Sequence, residues 1–413
     1  MAQSPMTVDN TDPSRDLIAD FYERHPYPPP VGLDRVRLPG APERRARHHL
    51  IWPNRSPRDS FPDGRCRTLI AGCGTTQAAR HAMVNPEAEV VGIDVSSASL
   101  GKTRDLIRQH GIDNLTLHQL PIERVSELDQ QFDRIISTGV LHCLADPTTG
   151  LRALHSVLAP GGAVTIMLYA RYGRAGVYMM QEYCRRLGLS GSVDDLAELA
   201  KVVTALDPSH PLRHLMQNSW DFDDPDALAD VLLNPRDRPY TVTETLTFLS
   251  DGGFRFGRWQ RQAPYLPDCG AVASTPHAAR IAALPRDEQF AAVELFRGTI
   301  ASHTAIAYAA NDDTVSQPDL DDDAVSEWRP LIAPTTRIAT AGDSTRAGRP
   351  GAVLRNAAHA ESDLALPVTD AEFAVVRRID GTATVGDLVG DNVDLIRRLF
   401  RHDLIVLDTT PAT

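Results

Sequence analysis

The chain has 413 residues, of which 42% are hydrophobic and 23% are charged, and its formal net charge is -12 at pH 7. This length predicts two or three domains, and the acidic balance argues against a nucleic-acid partner while it fits a basic protein. The 5 cysteines are scattered without a C-x-x-C pair, so we expect a reducing compartment and no metal site. No signal peptide and no membrane-spanning apolar run is recognisable, which predicts a cytoplasmic protein away from membranes and leaves signal-independent export open.

An N-terminal cap segment is predicted over residues 1–65. Its apolar pattern predicts a helix over 14–24, which ends at a proline-rich run. Residues 31–65 are rich in Arg, His and Pro and show little periodicity. We expect them to lie over the following domain, anchored around Trp52.

Regular alternation of strands and helices follows over residues 66–170. Strands are predicted at 68–71, 89–93, 115–118, 132–137 and 163–169, and helices at 76–84, 97–110, 122–128 and 147–158. This rhythm is typical of a parallel sheet. Two further strands, at 254–260 and 303–309, fall within residues 241–310. We therefore predict a doubly wound α/β fold with a mostly parallel seven-stranded sheet.

A helical insertion is predicted between the strands, at residues 171–240, with helices at 174–187 and 193–205. We expect it to form a substrate or dimer interface, because two-fold dimers are the commonest oligomers. It also carries an acidic patch, which is either a solvated face or a docking surface for a cationic partner. The patch consists of Asp221, Asp223, Asp224, Asp226 and Asp230.

Residues 311–345 are predicted to form an acidic linker, and residues 346–413 a small winged-helix-like α+β domain. That domain has predicted helices at 369–379, 384–389 and 391–402 and strands at 352–354 and 404–407. Winged helices often bind DNA, but Arg397, Arg398 and Arg401 are the only basic set in the last of these helices. We therefore expect a docking or dimer element.

One unit, from Thr68 to Asp94, has the order strand, glycine turn, helix, strand and acidic residue. Gly72 and Gly74 in the turn would let the backbone approach a ligand where a Cβ would collide. Asp94, at the end of the second strand, could accept hydrogen bonds from both hydroxyls of a ribose. This order indicates the nucleotide-binding half of a doubly wound sheet.

Three further features narrow the ligand. The turn is shorter than G-x-G-x-x-G and lacks its third glycine, the fourth strand continues into Thr138 to His142, and the turn Leu158 to Gly162 precedes the fifth strand. With these motifs in this order, the chain resembles the class I methyltransferases that use S-adenosylmethionine (SAM). The resemblance is tight over residues 66–170 and loose over 1–310. In layout the chain is also similar to actinobacterial enzymes that methylate a histone lysine.

The resemblance implies SAM as the cofactor and assigns residues to it. The glycine turn would pass under the methionine part, Asp94 would bind the ribose and Val95 would pack on the adenine. The full set implied to bind SAM is Gly72, Cys73, Gly74, Thr75, Gln77, Asp94, Val95, Pro121, Ile122, Thr138, Gly139 and Val140. Relatives often have acids at the position of Ala71 and near Pro121, whereas this sequence has alanine at the first position and Leu120-Pro121-Ile122 at the second.

Methyl transfer requires the protein to align a nucleophile with the S–CH3 bond and to exclude water. We predict Tyr22, His142 and Tyr169 as catalytic residues, and Tyr27 and Arg171 as substrate-binding residues. Each lies at a strand end or in the N-terminal cap, on the side where open α/β sheets bind ligands. The structural alternatives are a packed His142, a core Tyr169, and tyrosines in the cap that fasten the N-terminal segment.

We expect the acceptor to be a lysine of a basic protein such as a histone, and the enzyme to be a homodimer. Two alternatives stay open. One is a small hydroxylated or amino metabolite as the acceptor, and the other is a SAM-binding scaffold without catalysis. The motifs fix the cofactor but do not name the acceptor atom.

Overall fold

The computed structural model describes residues 17–29, 31–57, 61, 64–216, 222–340 and 351–411. The N-terminal segment and first half of the sheet contain α1 (Leu17–Arg24), α2 (Ala41–Ile51), β1 (Arg67–Ala71), α3 (Gln77–Val84), β2 (Glu89–Asp94), α4 (Ser97–His110), β3 (Leu115–Gln119), β4 (Phe132–Thr138), α5 (Pro147–Ser156) and β5 (Leu158–Tyr169). The insertion and second half contain α6 (Ala175–Leu187), α7 (Val193–Ala205), α8 (Pro211–Met216), α9 (Pro225–Leu233), α10 (Val242–Asp251), β6 (Phe254–Trp259), α11 (Ala278–Ala282), α12 (Arg286–Arg297) and β7 (Ser302–Ala309). The C-terminal unit contains β8 (Arg329–Ile332), β9 (Thr336–Thr340), β10 (Ala352–Asn356), β11 (Leu366–Val368), α13 (Asp370–Val376), α14 (Val385–Val389), α15 (Asp394–Arg401) and β12 (Ile405–Asp408).

A seven-stranded sheet organises the main body, in the order β3-β2-β1-β4-β5-β7-β6. Strands β1 to β5 run parallel, and β7 is antiparallel to both of its neighbours. Strands β2 and β3 lie on one side of β1, and β4 and the later strands lie on its other side. This switch in strand order opens a crevice at the carboxyl ends of β1 and β4. The predicted fold class, an α/β fold on a mostly parallel seven-stranded sheet, is confirmed.

The central strands are apolar because helices cover both faces of the sheet. Leu69 in β1 pairs with Val91 in β2 and with Ile135 in β4, and all three are buried. Parallel strands covered on both faces read as continuous apolar runs, as they do here. Burial of each such side chain stabilises the fold by roughly 1.5–3 kcal/mol.

The N-terminal segment contains a helix, α2, that the sequence analysis does not predict. Arg and His occupy five of its 11 positions, which hides the helical period. The amide of Gly40 donates to the Glu43 carboxylate at 3.2 Å, an N-terminal cap that the Pro42-Glu43 pair could have indicated. Trp52, directly after α2, is buried and donates from Nε1 to the carbonyl of Gly161 at 3.0 Å. The predicted anchor at Trp52 is confirmed.

The range predicted to be helical insertion contains α6 to α9. Val177, Leu199 and Val231 are buried in a cluster that these helices share. The start of the helix predicted at 14–24 lies outside the described residues, and α1 begins at Leu17. Within the described part of the chain, no helix combines the length and the apolar composition that crossing a bilayer requires.

The range 311–345, predicted as an acidic linker, includes two strands of the C-terminal unit. Strand β8 pairs antiparallel with β12, and β9 joins a second sheet with β10 and β11. The sequence analysis takes the aspartates before residue 324 as typical of the whole range and so misses the strands that follow. Buried Arg258 and Asp403 join β6 to the C-terminal unit at 2.9 Å. The winged-helix-like assignment and the domain boundaries stay predictions.

Candidate active site

A cavity of about 290 Å³ lies at the carboxyl ends of β1, β2 and β4. It forms there because the loops after these strands diverge at the point where the strand order reverses. Most residues predicted to bind the cofactor line it, namely Gly72, Cys73, Gly74, Gln77, Asp94, Val95, Pro121, Ile122, Thr138, Gly139 and Val140. Thr75 stands outside the lining, where its hydroxyl bonds the carbonyl of Pro28.

The turn after β1 requires glycine at two positions. Gly72 has a φ of +75°, and a Cβ there would lie 2.4 Å from Cγ2 of Val140. Gly74 has a φ of +56°, and its Cβ would lie 2.7 Å from the carbonyl oxygen of Tyr27. Cys73 between them is buried, and burial raises the pKa of its thiol, which disfavours a nucleophilic thiolate. The turn is therefore a close-fitting backbone wall.

Asp94 is held in a fixed orientation at the end of β2. Its Oδ2 accepts from the amide of Gly74 at 2.8 Å, and its Oδ1 accepts from the amide of Ser96 at 2.9 Å. Burial raises the pKa of Asp94, and these amides oppose that rise by stabilising the carboxylate. The remaining lone pairs can accept from hydroxyl groups of a ligand.

Helix α1 covers one side of the cavity. The carboxylate of Glu23 accepts from the amides of Ser97 and Ala98, the latter at 3.2 Å, at the positive N-terminus of α4. This contact places Ile18 and Tyr22 in the lining. The N-terminal segment thus helps to exclude water from the cavity.

A buried acid stands behind Tyr22 at the other end of the cavity. The Tyr22 hydroxyl donates to Oδ1 of Asp230 at 2.8 Å, and the Asn234 amide donates to the Tyr22 oxygen at 3.1 Å. Burial raises the pKa of Asp230 to about 6, while the Tyr22 hydrogen bond favours its ionised form. Because the hydroxyl proton is committed to Asp230, the Tyr22 oxygen can only accept from a group in the cavity.

Tyr169, on the same side of the cavity, packs against a buried cation. The guanidinium carbon of Arg174 lies 3.6 Å from the Tyr169 ring centroid. Arg174 also lies 3.8 Å from Asp237, which accepts from Nε2 of Gln181 at 2.9 Å. Asp230 and Asp237 are thus two buried carboxylates beside one buried guanidinium, a balance that favours a cationic ligand at this end.

Residues 62–202 match a family model described as a methyltransferase domain. PKMT2 of Rickettsia typhi, solved in complex with AdoHcy, has the same fold, with a TM-score of 0.60, 13% identity and coverage of 89% of this chain and 75% of that one. This chain is a class I SAM-dependent methyltransferase. A protein of Synechococcus sp., syc1184_c, is 30% identical over 299 residues, which cover 69% of each chain. The ubiquinone biosynthesis O-methyltransferase of Ruegeria pomeroyi is 34% identical over 96 residues, covering 23% of this chain and 38% of that protein.

The cofactor of the methyltransferase is SAM, and the cavity fits it. The two glycines of the turn let Val140 and Tyr27 approach the backbone where a Cβ would collide with them, and the amides of Gly74 and Ser96 hold Asp94 in place for a ribose. At the methionine end, Nε2 of Gln77 donates to the hydroxyl of Thr138 at 3.1 Å. When bound, SAM supplies a methyl group on a positively charged sulfur.

Besides Thr75, two residues predicted for catalysis or substrate binding do not line the cavity of the enzyme. His142 lies behind Tyr169, with ring centroids 4.6 Å apart, and burial lowers its pKa to about 3. Its Nε2 is 3.8 Å from Asp237, too far for a hydrogen bond, so the ring is neutral and packed. Arg171 is exposed and donates to Glu244 at 2.7 Å. Tyr22, Tyr27 and Tyr169 do line the cavity, and their roles stay predictions.

Several residues of the methyltransferase site are not predicted from the sequence. No acid is expected near Pro121, yet Glu123 lines the cavity from the 3-10 helix that follows β3. Its position directly after Pro121-Ile122 is the signal that could have indicated it. Asp230 and Asn234 carry no local signal, because they reach Tyr22 from an element more than 200 residues further along the chain.

The acidic patch of the insertion is not a single solvated face. Asp221 lies outside the described residues, and Asp223 is exposed. Asp224 caps α9 by accepting from the amide of Asp226 at 3.0 Å, and Asp226 bonds His25 at 3.1 Å. Three of the four described members, Asp230 included, have internal partners.

Proposed function

We propose that this methyltransferase acts on an amine, with a lysine side chain of a basic protein such as a histone as the best candidate acceptor. The observation that carries the proposal is the hydrogen bond from Tyr22, which lines the cavity, to the buried carboxylate of Asp230. A phenol oxygen that can only accept favours a nucleophile that bears a hydrogen. The two buried carboxylates beside Arg174 favour a cation.

The chemistry that these residues support is proton removal before methyl transfer. A lysine arrives as an ammonium and must lose a proton before its nitrogen can attack carbon. The Tyr22 oxygen can take that proton while its own proton passes to Asp230, so the net acceptor is the carboxylate. The nitrogen then forms the new C–N bond as the C–S bond breaks, and AdoHcy leaves. Burial of the amine among Tyr22, Tyr169 and Cys143 lowers its pKa and assists the first step.

Tritium transfer from methyl-labelled SAM tests the proposal. The full chain is incubated with core histones and, in parallel, with a small-metabolite extract, and label is followed in protein and in low-mass fractions. We expect acid-stable label on histone, recovered as methyllysine after hydrolysis. Asp94→Asn, which weakens the ribose contact, is the matched control and should abolish the label. Absence of label on protein at high enzyme concentration would contradict the protein-lysine assignment.

A second candidate function is methylation of a small metabolite. Helix α1 lies over the cavity and Ile18 and Tyr22 line it, which suits an enclosed acceptor. The Ruegeria pomeroyi relative, by its name an O-methyltransferase of ubiquinone biosynthesis, matches only over 96 residues. Label confined to the low-mass fraction would favour this candidate.

The predicted homodimer stays a prediction, and one feature of the insertion supports it. Met179, Tyr183 and Leu187 follow one another at helical spacing on α6 and are all exposed. An apolar stripe of this kind is typical of an interface. Sedimentation analysis of the full chain and of Tyr183→Asp would test it, since a monomeric native chain would contradict the prediction.

A further inference from the structure

A second cavity, of about 460 Å³, lies between α2, the main sheet and the C-terminal unit. None of the described residues that line it also lines the SAM cavity. Its volume falls within the range of roughly 300–1,000 Å³ that small-molecule sites occupy. The site is therefore separate from the methyl-transfer machinery and large enough for a metabolite.

The charges around this cavity run against those of the chain as a whole, which carries a net charge of -12. Among the described residues, Asp403 is the only carboxylate in the lining, and four arginines stand beside it: Arg47, Arg134, Arg258 and Arg261. Asp403 is already engaged, because its Oδ1 accepts from Arg258 at 2.9 Å and its Oδ2 from the amides of Gln262 and Ala263 at 2.7 and 2.8 Å. Its charge is thus offset by Arg258, and three guanidinium groups are left without a carboxylate among the described residues.

Of these three arginines, Arg134 shows the lack of a partner most clearly. It stands on β4, its Nε is buried, and that atom has no hydrogen-bond partner within the described residues. Burial lowers the pKa of Arg134, and the charge of Arg47 lowers it further. His81 beside them is neutral, since burial and the two arginines lower its pKa to about 3. A buried cation without a counterion is costly, and an anion in the cavity would remove that cost.

The cationic lining continues beyond this cavity. An adjoining cavity of about 340 Å³ is also lined by Arg47 and Arg134, and it adds Arg44, Arg45 and one acid, Glu87. Arg45 is bonded to Asp408 at 3.2 Å. The two unpaired arginines therefore stand between two cavities, where an anion with more than one charged group can reach both.

We propose that this cavity binds a small phosphorylated anion, with Arg47, Arg134 and Arg261 as its cationic ligands. Guanidinium groups bind phosphate oxygens in a two-pronged geometry, and several of them match a multiply charged phosphate better than a single carboxylate. Residues of α2, the main sheet and the C-terminal unit all line the site, so a bound anion would contact all three parts. At about 460 Å³ it is too small for a nucleic-acid strand.

Calorimetric titration of pyrophosphate into the full chain tests the proposal. AdoHcy is kept at saturation so that the methyl-transfer cavity is filled. We expect saturable one-site binding, and we expect Arg134→Met and Arg47→Met each to raise Kd by about tenfold or more, because each loses a charge-assisted hydrogen bond. Arg124→Met is the matched control and should leave Kd unchanged, since Arg124 is exposed and pairs with Glu127 away from the cavity.

The variants also separate loss of the ligand site from loss of the fold. Arg47 is exposed, so its replacement should leave unfolding unchanged, and removal of the unpaired Arg134 charge should not lower Tm in the absence of ligand. No binding of pyrophosphate at about 1 mM, or unchanged Kd in both cavity variants, overturns the proposal. Binding of citrate without binding of pyrophosphate overturns the assignment to phosphate. The methyl-transfer assay is a separate readout, so this proposal can fail while the proposed function stands.

Discussion

The two ends of the active-site cavity are built in different ways. At the cofactor end, a backbone turn and the Asp94 carboxylate lie within one short stretch of chain, and amides fix both. At the acceptor end, Tyr22 and Asp230 are 208 residues apart in sequence and meet only through packing of α1 against the insertion. Local backbone geometry therefore sets where SAM sits, and long-range packing sets what can be methylated.

The two ends also differ in the groups that offset the burial of their carboxylates. Burial raises the pKa of Asp94, but two backbone amides oppose that rise, and backbone amides cannot be lost by substitution of a distant side chain. Burial disfavours the charge of Asp230, and Asp237 adds to this effect. The acceptor end thus holds a destabilised carboxylate, which is the arrangement expected of a group that takes up a proton. Changes at one end should leave the other intact.

The largest expected effect follows from Gly72→Ala at the cofactor end. A Cβ 2.4 Å from Cγ2 of Val140, on a residue with a φ of +75°, must displace the wall of the SAM cavity. We expect the Kd for SAM, measured by calorimetry, to rise by about 1,000-fold, or roughly 4 kcal/mol, from strain and overpacking together.

Gly101→Ala is the matched control for this substitution. Gly101 lies within α4, has ordinary helical backbone and has open space around its Cβ position. Alanine there should leave the Kd for SAM unchanged and stabilise the helix by roughly 0.5–1 kcal/mol. Equal SAM affinity in the two variants would contradict the view that the turn after β1 fixes the cofactor.

The second prediction concerns the pH dependence of stability that Asp230 causes. Its pKa is about 6 in the folded chain and about 3.9 when unfolded, so between these values the native state binds more protons. Its contribution to stability is therefore full below about pH 4 and is lost as the pH rises to about 6, by about 3 kcal/mol in total. Asp230→Asn removes this loss, because its amide oxygen can still accept from Tyr22.

Urea unfolding of both chains between pH 4 and pH 7 measures this difference. We expect Asp230→Asn to be the more stable chain at pH 7 while its methyl transfer is impaired. Subtracting one curve from the other removes the many groups that titrate in both chains. A flat difference across this range would show that Asp230 is not a strained carboxylate.

The third prediction concerns Tyr22→Phe at the acceptor end. The ring still packs against Leu196 and Ala229 of the insertion, but the oxygen that would accept from the nucleophile is gone, and Asp230 loses a hydrogen bond. We expect kcat to fall by about 30-fold, or roughly 2 kcal/mol, with an unchanged Kd for SAM. Tyr183→Phe, on the exposed side of α6, serves as the control. If Tyr22→Phe weakened SAM binding by as large a factor as it lowered kcat, the two ends would not be separable.

The same division explains what the sequence predicts and what it does not. The strand positions along the chain, the glycine turn and Asp94 follow from local patterns, because strand ends and turn residues carry their own signals. The sequence predicts Asp230 only as part of an acidic patch, because the residues next to it in the chain do not indicate its contact with Tyr22. Helix α2 is missed for a related reason: it packs in part through Arg and His side chains, so its period is not apolar.

The smallest expected effect belongs to Arg171, which the sequence analysis assigns to substrate binding. Its guanidinium bonds Glu244 on the surface, outside the cavity lining. Exposed pairs of this kind contribute roughly 0–1 kcal/mol to stability. We therefore expect Arg171→Ala to keep kcat and KM within about twofold and to lower the free energy of unfolding by at most about 0.5 kcal/mol. Glu244→Gln should behave in the same way. If Arg171→Ala instead raises KM for a protein acceptor by about tenfold while KM for a free amine is unchanged, the acceptor chain crosses this surface on its way to Tyr22, and the acceptor end extends beyond the cavity.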